Sequence, residues 1–115
     1  MDISLTTDTL LVRLSPLERL AAFRPSDTFE VPLSRITRAS TERPAFELML
    51  RAPGTSLPGV IKAGTYWGKH GKEFWYAPRG RPVLTLDLDR FPYRRLVLAH
   101  QDAALWAQRV NEAKA

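Results

Sequence analysis

The chain has 115 residues, 17 Lys and Arg against 12 Asp and Glu, a formal net charge of +5, 44% hydrophobic residues and no cysteine. That length predicts one domain with a core that needs no metal or disulfide support. The lack of cysteine excludes disulfides, thiolate zinc sites and cysteine nucleophiles, and the apolar runs fall far short of the roughly 20 residues of a spanning helix.

The first residues, MDISLTTDTLLV, carry an early acid and no basic n-region. The expectation is therefore a soluble cytoplasmic protein, peripheral at most to the inner face of the membrane. Ile3–Thr6 and Thr9–Leu14 read as extended, with a break at Asp8. In SPLERLAAF the period changes. Ser15 and Glu18 have the spacing of a reciprocal capping box and Pro16 stands at the first helical position, which predicts a short helix over Pro16–Ala22. Thr28–Val31 is a predicted strand that Pro32 ends or kinks at an edge, and Leu33–Ala39 continues as another. Phe46–Leu50 alternates. Three apolar runs, Val60–Trp67, Glu73–Ala77 and Val83–Leu88, are separated by Gly- and Pro-rich turns and predict an antiparallel meander. Gly68–Gly71 is a hairpin turn, and Gly64 marks a bulge or a close approach of backbones. Tyr93–His100 is a last strand. A helix follows over Ala103–Ala113, with Asp102 at its N-cap and a stripe of Ala103, Trp106, Ala107 and Val110. Leu105 falls on the opposite side, toward a loop or another subunit.

The order of elements, with VPLSRI at Val31–Ile36, RAPGTSLPG at Arg51–Gly59, KAGTYW at Lys62–Trp67, KEFWYA at Lys72–Ala77 and RRLVLAHQD at Arg94–Asp102, resembles the bacterial pleckstrin-homology-like domain family. The resemblance covers nearly the whole chain and implies a mainly β (α+β) fold. This would be a partly open barrel of about seven antiparallel strands, capped by a C-terminal helix centred on Trp106, with an extra short helix near residues 16–22. The expected core is Leu11, Leu14, Leu20, Ile36, Leu48, Ile61, Phe74, Leu84, Leu86, Leu96, Leu98, Trp106 and Val110. The resemblance also implies a binding or oligomerisation module. The inositol-phosphate site of eukaryotic members does not carry over, because Arg13 is the only base before the first helix.

Charge is uneven. Residues 1–34 hold three Arg against five acids, and residues 35–81 nine Lys and Arg against three acids. Lys62, Lys69, Lys72, Arg79 and Arg81 follow the meander as candidate anion- or lipid-binding residues. Trp67, Trp75, Tyr76 and Leu105 are candidates for an interaction surface, since Phe74 and Tyr76 point to one face of their strand and Trp75 to the other. His70 and His100 are the only histidines, and neither sits in a nucleophile motif or at metal-ligand spacing. The glycines do not form a phosphate loop. The reading is a non-catalytic binding or scaffolding module with no cofactor and no metal, contacting protein, including copies of itself as a homo-oligomer. Peripheral binding to an anionic phospholipid surface is the alternative, and single-stranded nucleic acid the lesser one.

Overall fold

The computed structural model describes residues 1–21, 28–44, 50–51, 55–57, 61–68, 71–78 and 80–114. The first part of the chain builds a small antiparallel sheet, β1 (Asp2–Leu5), β2 (Thr9–Arg13) and β3 (Thr28–Pro32), in that order. The β1–β2 turn is held by the Thr6 N–H donating to the Thr9 carbonyl at 2.9 Å and the Thr9 N–H donating to Thr6 Oγ1 at 3.1 Å. Alternation puts Leu10 and Val12 of β2, and Phe29 and Val31 of β3, into the core, while Glu30 stays in water. Leu11 is opposite Ser4 and Glu30 on the outer face. The expected burial of Leu11 is thus a parity error: one residue of slip exchanges the two faces of a strand. Between β2 and β3 lies α1 (Pro16–Ala21). Its capping box forms as the spacing predicts, with the Ser15 N–H donating to Glu18 Oε1 at 2.8 Å and the Glu18 N–H donating to Ser15 Oγ at 3.2 Å.

A 3-10 turn over Leu33–Arg35 interrupts the expected strand and leads into β4 (Ile36–Ser40). The larger sheet then contains β5 (Leu50–Arg51), β6 (Thr55–Leu57), β7 (Ile61–Gly68), β8 (Gly71–Tyr76), β9 (Val83–Leu88) and β10 (Arg95–Ala99). Its order is β4-β9-β10-β8-β7, with β5 and β6 both on the outer edge of β7. The β7–β8 hairpin closes at the Gly68–Gly71 pair. Its register runs unbroken from Ala63 to Gly68, so Gly64 marks no bulge. Instead it sits opposite Trp75 at φ 135°, a conformation that L side chains rarely adopt.

The meander does not continue past β8. Strand β9 pairs with β10 and β4, and β10 lies between β8 and β9, parallel to β8. The arrangement is therefore not all antiparallel, and the two sheets do not close into a barrel. The physical reason lies in composition. Leu96–Ala99 and Val83–Leu86 are buried at every position, and strands covered on both faces belong in the middle of a sheet.

The C-terminal helix α2 (Ala103–Lys114) packs on β4, β9 and the 3-10 turn. Its buried positions are Ala103, Ala107 and Val110, small enough to bring the helix close to the strands. Trp106 is half-buried at the margin of the core, with the Arg109 guanidinium carbon 5.2 Å from its ring centre. The cap thus centres on the alanines rather than on the indole. Asn111 and Lys114 reach the outer edge of β4, where Asn111 Nδ2 donates to the Ala39 carbonyl at 2.8 Å.

Two cores result. The main one joins Leu10, Val12, Leu14, Phe29 and Val31 to Ile36, Phe74, Leu84, Leu86, Leu96, Leu98 and the buried face of α2. A second covers the reverse face of the larger sheet with Tyr66, Trp75, Ala77, Val83 and Val97. Of the expected core residues, Leu48 and the side chains of Leu20 and Ile61 lie outside the described residues.

Candidate interaction surface

The turn end of the β7–β8 hairpin brings a cation and aromatic rings together. Trp67 pairs in register with Lys72. Lys72 Nζ stands 4.4 Å above the centre of the Tyr93 ring, an attraction between a cation and the negative face of the ring. Tyr93 meets Phe29 edge-on at 5.5 Å and Phe74 at 6.3 Å, so the main core fixes its orientation. The Arg94 N–H donates to the Lys72 carbonyl at 2.7 Å and ties the β9–β10 connection to the same end. Trp67 remains 45% exposed. Tyr93 escaped the sequence reading. Its signal was the aromatic pair around Pro92 in RFPYRR, next to a strand that returns to the hairpin.

The other proposed residues fall elsewhere. Lys72 is the second residue of β8, and Arg81 lies beyond its far end, with about 13 Å of strand between Lys72 and that end at ~3.3 Å per residue. The two therefore do not share one patch, because a sequence cluster on a strand is spread along its length. Lys62 pairs through its backbone with Ser56, and its side chain lies outside the described residues, as do Lys69, Arg79 and His70. Trp75 is 1% exposed within the second core, which removes it from any surface. Leu105 is 42% exposed on α2, on the β4 side of the sheet. Trp67 is on β7, four strand spacings or about 19 Å from β4.

Arg81 instead lines a polar cleft of about 190 Å³ with Met1, Glu18, Ala99, His100 and Gln101. Arg43 fixes the turn that carries Arg81, donating to the carbonyls of Ala77, Pro78 and Arg81 at 3.3, 3.2 and 3.0 Å. Glu18 holds the Met1 ammonium at 3.1 Å as well as the Ser15 N–H. Burial first, and the Glu18 carboxylate second, push the Tyr76 hydroxyl above the usual tyrosine pKa, against the opposing pull of Arg81. His100 Nδ1 accepts the Asp102 N–H at 3.0 Å, which assigns the proton of the neutral ring to Nε2. The cleft thus joins both signs of charge, with its carboxylate already committed to local partners.

A third cluster stitches the reverse face. Glu73 is 2% exposed. Its Oε1 accepts from Trp75 Nε1 at 3.0 Å, and its Oε2 accepts from Arg94 Nε at 2.7 Å and Nη2 at 2.6 Å. Arg95 Nη1 is 3.7 Å away, while Arg95 Nε donates to Asp87 at 2.8 Å. A buried carboxylate persists only when paired and hydrogen-bonded in this way. Among the described residues, no group of three or more His, Asp and Glu is placed to hold a metal ion, and no helix is long and apolar enough to cross a membrane. No family model, no curated protein and no solved structure matches this chain.

Proposed function

We propose that the chain is a non-catalytic binding module that contacts protein, including copies of itself, through the turn end of the β7–β8 hairpin. The observation that carries this reading is the exposed indole of Trp67 across from Lys72, whose ammonium lies over the Tyr93 ring. Tryptophan and tyrosine are enriched among the few residues that carry most of the binding energy at protein interfaces, and an indole held on a paired strand has little backbone entropy left to lose. The resemblance to pleckstrin-homology-like proteins belongs to the same proposal. A mainly β fold with a C-terminal helix supports it, and the parallel β8–β10 pair is where this chain departs from that pattern. Sedimentation velocity over rising concentration tests self-association: growth in mass that Trp67→Ala reduces supports it, and a strict monomer at the highest concentration removes it.

The same residues favour one second reading. An indole beside a lysine suits the interface of an anionic bilayer, where aromatic rings settle at headgroup depth and cations gain from the surface potential. Co-sedimentation with phosphatidylserine vesicles tests it. Salt-sensitive binding lost in Lys72→Glu supports the reading, and no binding to anionic vesicles ends it. Single-stranded nucleic acid is the third occupant, tested by quenching of tryptophan fluorescence with oligonucleotides.

A further inference from the structure

Among the described residues, the outer edge of β4 is occupied by side chains rather than by a strand. In an antiparallel pair, alternate residues turn their N–H and C=O away from the partner strand, and at a sheet edge those groups await another chain. Ala39 is such a residue. Its N–H donates to Asn111 Oδ1 at 3.2 Å, and its carbonyl accepts from Asn111 Nδ2 at 2.8 Å. One carboxamide therefore makes the two bonds that a neighbouring strand residue would make. Two residues earlier, the register shifts between Ile36 and Arg38. At this shift Thr37 Oγ1 donates to the Asp87 carbonyl at 3.0 Å, and the outward Thr37 carbonyl accepts from Lys114 Nζ at 3.2 Å. Asn111 and Lys114 are three apart on α2 and so share one helix face.

We propose that this face of α2 is a strand surrogate that keeps β4 from pairing with β4 of a second copy of the chain. The partner is a second copy because an antiparallel pairing about a two-fold axis through mid-strand sets each residue against one of the same edge and the reverse, so one sequence suffices on both sides. Asn111 meets each hydrogen-bonding need of Ala39 and offers no onward ladder. Lys114 adds a charge to the edge, a common means of blunting it. The inference concerns the sheet edge opposite the β7–β8 hairpin and does not depend on the binding role proposed for that hairpin.

Two readouts test it on the full chain. In Asn111→Ala, at dilutions where the variant is still monomeric, amide exchange at Ala39 rises roughly ten- to hundred-fold, as the loss of a two-point hydrogen bond implies. The same variant shows concentration-dependent dimerisation beyond that of the unsubstituted protein. The chain has no cysteine, so Arg38→Cys places a single thiol in mid-strand. Under mild oxidation the introduced thiols cross-link in the Asn111→Ala background and not where Asn111 is retained. Asn111 is solvent-exposed, which favours a folded variant. Should Asn111→Ala fail to fold, Asn111→Asp keeps the acceptor, replaces the donor with a repelling oxygen and is read in the same two ways. The proposal is overturned if the Ala39 amide of the unsubstituted protein exchanges as an unpaired amide does. It is equally overturned if neither folded variant associates more than the unsubstituted chain, or if the added dimer does not cross-link through position 38.

Discussion

The two faces of the larger sheet hold together by different means. On the inner face, Phe74, Leu84, Leu86, Leu96 and Leu98 meet the small sheet and α2, and the packing is apolar throughout. On the reverse face a smaller cluster of Tyr66, Trp75, Ala77, Val83 and Val97 adjoins Glu73, Asp87, Arg94 and Arg95. Adjacent residues of one strand, Phe74 and Trp75, thus anchor two cores. The inner face draws on area removed from water, which tolerates changes of shape. The reverse face draws on a directional network, in which the indole N–H and two guanidinium groups are aimed at one carboxylate.

This contrast can be broken at either side. The largest expected effect is Phe74→Ala, which opens a cavity in the main core and lowers stability by about 3–5 kcal/mol, read by urea denaturation. Glu73→Ala comes next. It removes the carboxylate that accepts from the Trp75 N–H and releases Arg94 and Arg95, and because both arginines retain contact with water the loss is about 2 kcal/mol. Glu73→Gln should lose less, since the amide oxygen still accepts. If Glu73→Ala and Glu73→Gln were equally harmful, charge rather than hydrogen bonding would govern that face. Tyr76 gives a smaller, pH-dependent effect. Its hydroxyl pKa is raised in the folded protein, so the folded state holds the proton more tightly than the unfolded chain. Its contribution is full below the ordinary tyrosine pKa and is lost as pH rises through the raised one. Stability should fall over that alkaline range, and Tyr76→Phe should flatten the fall. Trp67→Ala is the mildest, changing stability by about 0.5 kcal/mol or less while reducing association. A large loss of stability there would mean that Trp67 belongs to the inner core after all.

Local features were legible in the sequence because their causes are local. The capping box of Ser15 and Glu18, the hairpin at Gly68–Gly71 and the span of α2 each follow from residues within a few positions of one another. Parity in β2 was harder. Leu10, Leu11 and Val12 are consecutive apolar residues, and the inward pair is decided by what lies across the sheet. Pairing partners were harder still. The uninterrupted burial of Val83–Leu86 and Leu96–Ala99 was a signal for central strands, but the turn-like residues between the apolar runs suggested sequential neighbours. For the candidate surface, Trp67 and Lys72 were readable as hairpin neighbours, whereas Tyr93 arrives only through the fold. Trp75 was misplaced because its partner, Glu73, lies on the same strand face, and burial of that carboxylate depends on Arg94, just before β10, and Arg95, its first residue. Arg43 and Asn111 act on backbone groups 34 to 72 positions away, beyond any pattern in the chain.

The parallel alliance of β8 with β10 also orders events in time. When β9 emerges, its neighbour on one side has not yet been made, and β8 must wait beside an empty lane about one strand wide. Neither half of the larger sheet can be completed until Arg95–Ala99 slides in between. Pairings of this kind are slow to form, and a chain halted before that segment would be left with two open strand edges in place of a finished centre.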